Sequence, residues 1–183
     1  MAERFEIRLA GTGGQGMVLA GILLADAAVR DGKRVVQTQS YSPQARGGTS
    51  RSEVVISDEE IDYPEVLQAD VLVCMSQEAC DRFAGEVKEG GTLILEADLV
   101  HRAPRVNAVR IPITRLAREA SGRAITANIV AVGLVAGLTG IVSRASLEAA
   151  VRERVPPGTE ELNLKALAAG FEAAKPFRTA ALP

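Results

Sequence analysis

The sequence predicts a single α/β domain in three layers, α/β/α, around a mostly parallel but mixed sheet. Three observations carry that expectation. A strand-like segment at residues 5–9 runs straight into a glycine-rich loop, a helix and a second strand-like segment at 34–40. Strand-type runs then give way to helix-forming runs toward the end of the chain, without an internal repeat or a linker-like stretch. The length of 183 residues suits one sizeable core. A strand, loop, helix and strand in that order are the opening of a parallel α/β sheet. Residues 1–176 are expected to form the domain, and 177–183 a frayed C-terminal tail.

Phe5-Glu-Ile-Arg-Leu9 alternates apolar and polar residues, as a strand does. Residues 15–31 are rich in strong helix formers and end near Gly32. After the strand at 34–40 comes an irregular, Pro-containing stretch, Tyr41-Ser-Pro-Gln-Ala-Arg-Gly-Gly-Thr49, then a strand over 50–56 and a turn over 57–60. Asp70-Val-Leu-Val-Cys-Met75 reads as a buried strand, with Ser76 placed to cap a helix over 77–88. Gly90-Gly91 precede a strand at 92–96, and a last strand spans 108–113. Thr114 is expected to cap a short helix to Ser121 and Ser143 a helix to Arg154, between them a long apolar helix over 127–142; residues 160–175 supply the last helix. The helix from Gln15 is apolar nearly all round and should be covered on both sides.

Composition removes several classes of function. The 21 basic residues are offset by 23 acidic ones, the net charge is −2, and aromatics make up 3%. A nucleic-acid binder needs a basic face, so nucleic acid is not an expected partner. The start of the sequence lacks the pattern of a signal peptide, and two cysteines cannot staple a chain of this size, which points to the cytoplasm. One histidine, His101, cannot form a His cluster for a metal, and no Gly-x-Ser-x-Gly elbow accompanies it as a hydrolase base. No Cys-x-x-Cys run is present to hold an iron–sulfur cluster. No catalytic residue and no metal ligand is therefore assigned. His101 is read as a solvated loop residue, Cys74 as a core thiol, Cys80 as an ordinary helix residue, and Glu59-Glu60 as a solvated turn.

Gly11, Gly13 and Gly16 match G-x-G-x-x-G between a strand and a helix. This gives the domain a Rossmann-like start. Glycine admits positive φ and close backbone approach, and the helix start adds free N–H donors, so the loop is suited to a phosphate or carboxylate. The ribose-binding acid of a dinucleotide site is missing, because Gln37-Thr-Gln-Ser40 stands where it would be. The alternative is that the glycines only make a tight turn packed on the sheet. Arg46-Gly47-Gly48 lies in the irregular loop, where an arginine fork can meet an anion or merely pair with a neighbouring acid. The candidate ligand-binding residues are Gly11, Gly13, Gly14, Gln15, Gly16, Arg46, Gly47 and Gly48.

Gly11-Thr-Gly-Gly-Gln-Gly16 continuing into Val18-Leu-Ala-Gly21 resembles the gamma subunits, or fused gamma domains, of 2-oxoacid:ferredoxin oxidoreductases. Further matches are Gln37-Thr-Gln-Ser-Tyr41, Ala45-Arg-Gly-Gly48, Ser50-Arg-Ser-Glu-Val-Val-Ile-Ser-Asp58, Ile61-Asp-Tyr-Pro64, Ile111-Pro-Ile-Thr114 and Ala127-Asn128. The resemblance spans residues 5–171 and is nearest the 2-oxoglutarate branch, with Ser42-Pro-Gln44 departing from its usual Gly-Pro-Glu. Branched-chain 2-oxoacid, pyruvate and indolepyruvate branches are the alternatives. The resemblance implies alpha, beta and in some cases delta partner subunits that carry thiamine diphosphate, Mg and iron–sulfur clusters, with ferredoxin as acceptor. It implies for this chain a role in assembly, with coenzyme A at a subunit interface, and leaves self-association of the isolated chain as a further option. Other classes stay open: an independent nucleotide-binding oxidoreductase and a ligand-free structural module.

Thr126 to Ser143 carries no charge and is long enough to invite a membrane reading, with Gly133-x-x-x-Gly137 fitting a helix-pair pattern. Asn128, Thr139 and three glycines dilute it, so a core or subunit-facing helix is expected and no membrane partner.

Overall fold

The computed structural model describes residues 4–41, 48–104 and 108–178. The chain runs through β1 (Phe5–Thr12), α1 (Met17–Arg30), β2 (Arg34–Tyr41), β3 (Thr49–Ser57) and β4 (Ala69–Cys74). It continues through α2 (Gln77–Phe83), β5 (Val87–Glu96) and β6 (Ala108–Ile111). Four helices follow: α3 (Ile113–Ser121), α4 (Ala127–Thr139), α5 (Arg144–Arg154) and α6 (Glu160–Ala174).

The six strands form one sheet in the order β2-β3-β1-β4-β5-β6. β1, β4, β5 and β6 pair in parallel, whereas β3 is antiparallel to both β1 and β2. The unit β1-α1-β2 is therefore not an adjacent parallel pair, because β3 is inserted between its strands. Side-chain chemistry accounts for the order. β3 carries Val54-Val-Ile56 and is buried along nearly its whole length, which suits an interior strand. β2 carries Gln37-Thr-Gln-Ser40, and its second half is exposed, as an edge tolerates.

The two faces of the sheet are covered unequally. On one face Ile7, Leu9, Val54, Ile56, Val71, Val73 and Ile94 pack beneath α1, α3, α4, α5 and α6 in the larger core. On the other face Ala10, Val55, Leu72, Cys74, Leu93 and Leu95 meet only α2 and irregular segments around Val66 and Val100. α1 is sandwiched as its composition requires, with β3 and β2 below and α5 and α4 beside it. Its Gly21 is needed for that depth, since a Cβ there would overlap the Ser52 side chain.

α4 is a core helix of 13 residues, buried from Ala127 to Gly137. It lies along α6, and the two backbones meet at Gly133 and Gly170. A Cβ on Gly133 would fall on the Leu167 carbonyl oxygen, and one on Gly170 on that of Val130. The small-residue pattern thus serves close packing inside the domain. No helix of the described residues is long and apolar enough to cross a membrane.

Several boundaries differ from the sequence expectation for local reasons. α3 begins at Ile113, with Pro112 at its cap position, so Thr114 lies inside the first turn. The capping acceptor comes instead from β5: Glu96 Oε2 accepts the Thr114 N–H at 2.7 Å and its hydroxyl at 2.8 Å. The expected helix over 77–88 stops at Phe83, and β5 begins at Val87, with Gly90 at positive φ and the register against β4 shifted between Ala69 and Val71. Ser76 and Ser143 do cap α2 and α5, accepting the backbone N–H groups of Ala79 and Ser146. Of the expected frayed tail, residues 179–183 lie outside the described residues, and the Arg178 Nε donates to the Gly137 carbonyl at 2.6 Å.

Candidate functional site

The glycine loop follows β1 at the carboxyl end of the parallel strands. From β1 the chain crosses to β2 on one side, while from β4 it continues to β5 on the other. The crevice of an open α/β sheet lies at such a reversal, here between β1 and β4. Gly11 is buried in β1 against Met75 and the Gln15 side chain, where a Cβ would collide with the Gln15 amide. Gly13 and Gly14 are exposed, and Gly14 has φ 89°. Gly16 caps α1 with φ 74°, and Asn128 Nδ2 donates to its carbonyl at 3.3 Å.

Gln15 occupies the crevice itself. Its Oε1 accepts the Thr12 N–H at 2.7 Å, and its Nε2 donates to the Met75 carbonyl at 3.1 Å. The loop after β1 is thereby tied to the residue that follows β4. The Gly13 N–H donates to the Gly48 carbonyl and the Gln15 N–H to the Thr12 carbonyl, each at 3.2 Å. Three backbone donors at the loop are thus consumed inside the protein and are not free for an anion. The same Gly13–Gly48 bond brings the two glycine segments together, because β1 and β3 pair as far as Thr12 opposite Thr49. Arg46 and Gly47, with Ser42-Pro-Gln44, lie outside the described residues.

Beside the loop is a crevice of about 290 Å³ lined by Gly14, Gln15, Met75, Leu99, Thr114, Ile125 and Ala127. A second of about 270 Å³, lined by Leu19, Ile125, Asn128, Val155, Pro156 and Leu162, lies across Ile125. These residues come from the segments after β1, β4, β5, α3 and α5 and from the helices α1, α3, α4 and α6. Glycine motifs alone do not reveal them. Only Gly14, Gln15, Met75 and Leu99 carry a sequence signal, their position just beyond a carboxyl strand end.

A separate polar cluster lies on the thinly covered face. Arg8 is 2% exposed, its Nε 2.7 Å from Glu53 Oε1 and its Nη2 donating to the Val66 carbonyl at 2.8 Å; Glu86 pairs with Nη1. The guanidinium groups of Arg8, Arg51 and Arg82 lie 5.3, 5.6 and 5.2 Å from the centre of the Phe83 ring. The opening there, about 380 Å³, is bordered by Thr38, Ser40, Glu65 and Glu86. Alternation in β1 suggests solvent-facing polar residues, and it missed this cluster because segments around Val66 fold over Arg8.

His101 is exposed in a loop held by Gln77, whose Oε1 accepts its N–H at 2.9 Å. Cys74 and Cys80 are both free and buried, and Cys80, a residue of α2, belongs to the core as well. The hydrogen bond with Cys80 and then burial push the Cys74 thiol far above its usual range, which keeps it protonated. No group of three His, Cys, Asp or Glu side chains able to hold a metal is found among the described residues.

Comparison with known proteins places this arrangement. The family model for pyruvate ferredoxin/flavodoxin oxidoreductase matches residues 6–173. The chain is 52% identical over 177 residues to the 2-oxoglutarate synthase subunit KorC of Methanocaldococcus jannaschii, covering 94% of this chain and 95% of that one. It is 35% identical over 174 residues to the ketoisovalerate oxidoreductase subunit VorA of Methanothermobacter marburgensis, covering 92% of this chain and 36% of that longer one. Among solved structures, the keto/oxoacid ferredoxin oxidoreductase gamma subunit from Geobacter sulfurreducens superposes with a TM-score of 0.85 at 48% identity, over 94% of this chain and 99% of that one. The chain belongs to the pyruvate ferredoxin/flavodoxin oxidoreductase family.

Proposed function

We propose that this chain is the gamma-type subunit of a cytoplasmic 2-oxoglutarate:ferredoxin oxidoreductase. In that reaction 2-oxoglutarate, coenzyme A and oxidised ferredoxin give succinyl-CoA, CO2 and reduced ferredoxin. The observation that carries the reading is full-length likeness to a 2-oxoglutarate synthase subunit at 52%, against 35% for the ketoisovalerate relative. Thiamine diphosphate with Mg, on alpha and beta partner subunits, supplies the decarboxylation chemistry, and iron–sulfur clusters on partners supply the electron path. This chain contributes shape, contacts and an anion-facing loop.

The residues favoured for coenzyme A are those of the glycine loop, Gly11 to Gly16, with Arg46, Gly47 and Gly48. The Gly13–Gly48 bond supports the grouping, because it joins the two segments at the carboxyl end of β1. Gly14 is exposed there beside the start of α1, where a positive helix end favours a phosphate. In the assembled enzyme, Arg46→Ala should raise the coenzyme A concentration for half-maximal rate about tenfold, the loss of one charge-assisted contact. The 2-oxoglutarate requirement should stay unchanged, as steady-state kinetics with each substrate varied will measure. An unaltered coenzyme A requirement removes Arg46 from the site.

A second reading, a ligand-free assembly module, is favoured by one observation. Gln15 fills the crevice between β1 and β4, and the Thr12, Gly13 and Gln15 N–H groups are already bonded. Titration of coenzyme A into the intact complex, with Arg46→Ala in parallel, separates the two.

A further inference from the structure

Ile125 is the most exposed of the large apolar side chains among the described residues, at 74%. It lies in the single 3-10 turn Ala124–Thr126 between α3 and α4. The Thr126 hydroxyl donates to the Arg123 carbonyl at 2.9 Å and lies 2.7 Å from the Ser121 hydroxyl, while the Ser121 oxygen accepts the Arg123 N–H at 3.2 Å. A network of this kind fixes the turn that carries Ile125, which lowers the cost in order when a partner arrives. The side chain forms a wall shared by both crevices at the carboxyl end of the sheet. Arg123 is the one charged residue that lines either crevice, and no Asp or Glu lines them.

We propose that Ile125 and its two flanking crevices are the docking anchor for a thiamine-binding partner subunit, an inference that rests on the function proposed above. The occupant is a protein segment with apolar side chains that straddle Ile125 and a carboxylate that meets Arg123. A central buried aliphatic anchor with a charged rim is the pattern of an interface hot spot. A carboxylate on the docking segment complements Arg123, whereas a basic rim would meet it unfavourably. The position also sets the gamma chain's glycine loop against the partner, because Gly14, Gln15 and Ile125 border the same crevice.

The test uses the full-length chain and the tagged thiamine-binding subunits, with the dissociation constant read by biolayer interferometry. Ile125→Asp should weaken assembly about tenfold or more, and Arg123→Glu about threefold or more. Leu67→Asp removes another exposed side chain, 64% accessible and away from the crevices, and should leave assembly unchanged. The circular dichroism melt of the isolated Ile125→Asp chain should match wild type, which separates lost docking from lost folding. Equal affinity for wild type and Ile125→Asp overturns the anchor alone. Equal loss with Leu67→Asp overturns it as well, since any apolar surface would then serve. Unchanged assembly with a raised coenzyme A requirement assigns the crevices to that ligand and also overturns the anchor. A wild-type chain that fails to assemble with these subunits overturns the function reading and the anchor together.

Discussion

The two faces of the sheet solve the same covering problem with different chemistry. Under five helices, β1 and β3 present Ile7, Leu9, Val54 and Ile56 to a continuous apolar core. On the opposite face the same two strands present Arg8 and Glu53, paired with each other under a short helix and irregular segments. Helices can shed water from a wide area, so the first face needs only shape and apolar volume. The second face has thinner cover, and charge pairing satisfies Arg8 and Glu53, which are buried beneath it. Stability on the first face depends on how closely backbones fit; on the second it depends on keeping every charge partnered.

That contrast can be broken on either side. Arg8→Met has the largest expected effect. It leaves Glu53, itself 5% exposed, with only the more distant Arg51, at 3.7 Å, to offset its buried charge, at a loss of about 3 kcal/mol in urea unfolding. Pairing the change with Glu53→Gln should recover much of it, and a double-mutant cycle without coupling would show that the pair is not what holds this face. On the helical face, Gly170→Val places a branched side chain against the Val130 carbonyl and should cost about 3 kcal/mol, the upper end for overpacking. Gly170→Ala should already incur much of this, since its Cβ meets the same carbonyl, and an alanine variant as stable as wild type would argue against steric crowding.

A smaller effect sharpens the comparison at the rim of the helical layer. Asp31, the C-cap of α1, accepts the Ser143 N–H at 2.6 Å and the Ser143 and Ser146 hydroxyls at 2.7 and 2.6 Å, so it ties α1 to the start of α5. Burial pulls its carboxyl pKa upward, but the bonds from Ser146 and Ser143 and the Lys33 charge outweigh that and hold it below the ordinary 3.8. A carboxyl depressed in the folded state stabilises fully above 3.8 and loses that contribution as pH falls through its lower folded value. Asp31→Asn should cost about 1 kcal/mol at neutral pH, in the range of a lost helix-cap interaction. The gap to wild type should close in strongly acid solution, as thermal melts across pH will record; a gap independent of pH would assign the effect to packing. Least of all, Ile125→Asp should alter the isolated chain's stability by less than about 0.5 kcal/mol, because nothing covers it.

The elements were readable where local chemistry sets them. The glycines at 11, 13 and 16, the caps Ser76 and Ser143, and the buried α4 all stand where periodicity and capping residues place them. Partners distant in sequence were not readable. The acceptor at the start of α3 is Glu96, 18 residues before Thr114, and no local pattern announces a cap delivered from a neighbouring strand. Arg8 and Glu53 look like ordinary outward positions of two strands until their pairing register is known. The candidate site was legible as two glycine segments, and the Gly13–Gly48 bond brings them together. That Gln15 folds back to use the loop's own donors follows from the position of Met75, which only the three-dimensional arrangement supplies.

β3 has a consequence for how the chain reaches its final form. Because it separates β1 from β2, the N-terminal strand, helix and strand cannot close into a sheet by themselves. β1 must wait for a segment made later, and the β2–β3 hairpin, formed from neighbours in sequence, is the unit with the lower entropic barrier. During synthesis the first 48 residues therefore expose a strand on each side of an empty slot, and Thr49 to Ser57 is the piece that fills it. Crowding, truncation or a slow step at that stage puts the newborn chain at risk of having the slot filled by a strand from another molecule.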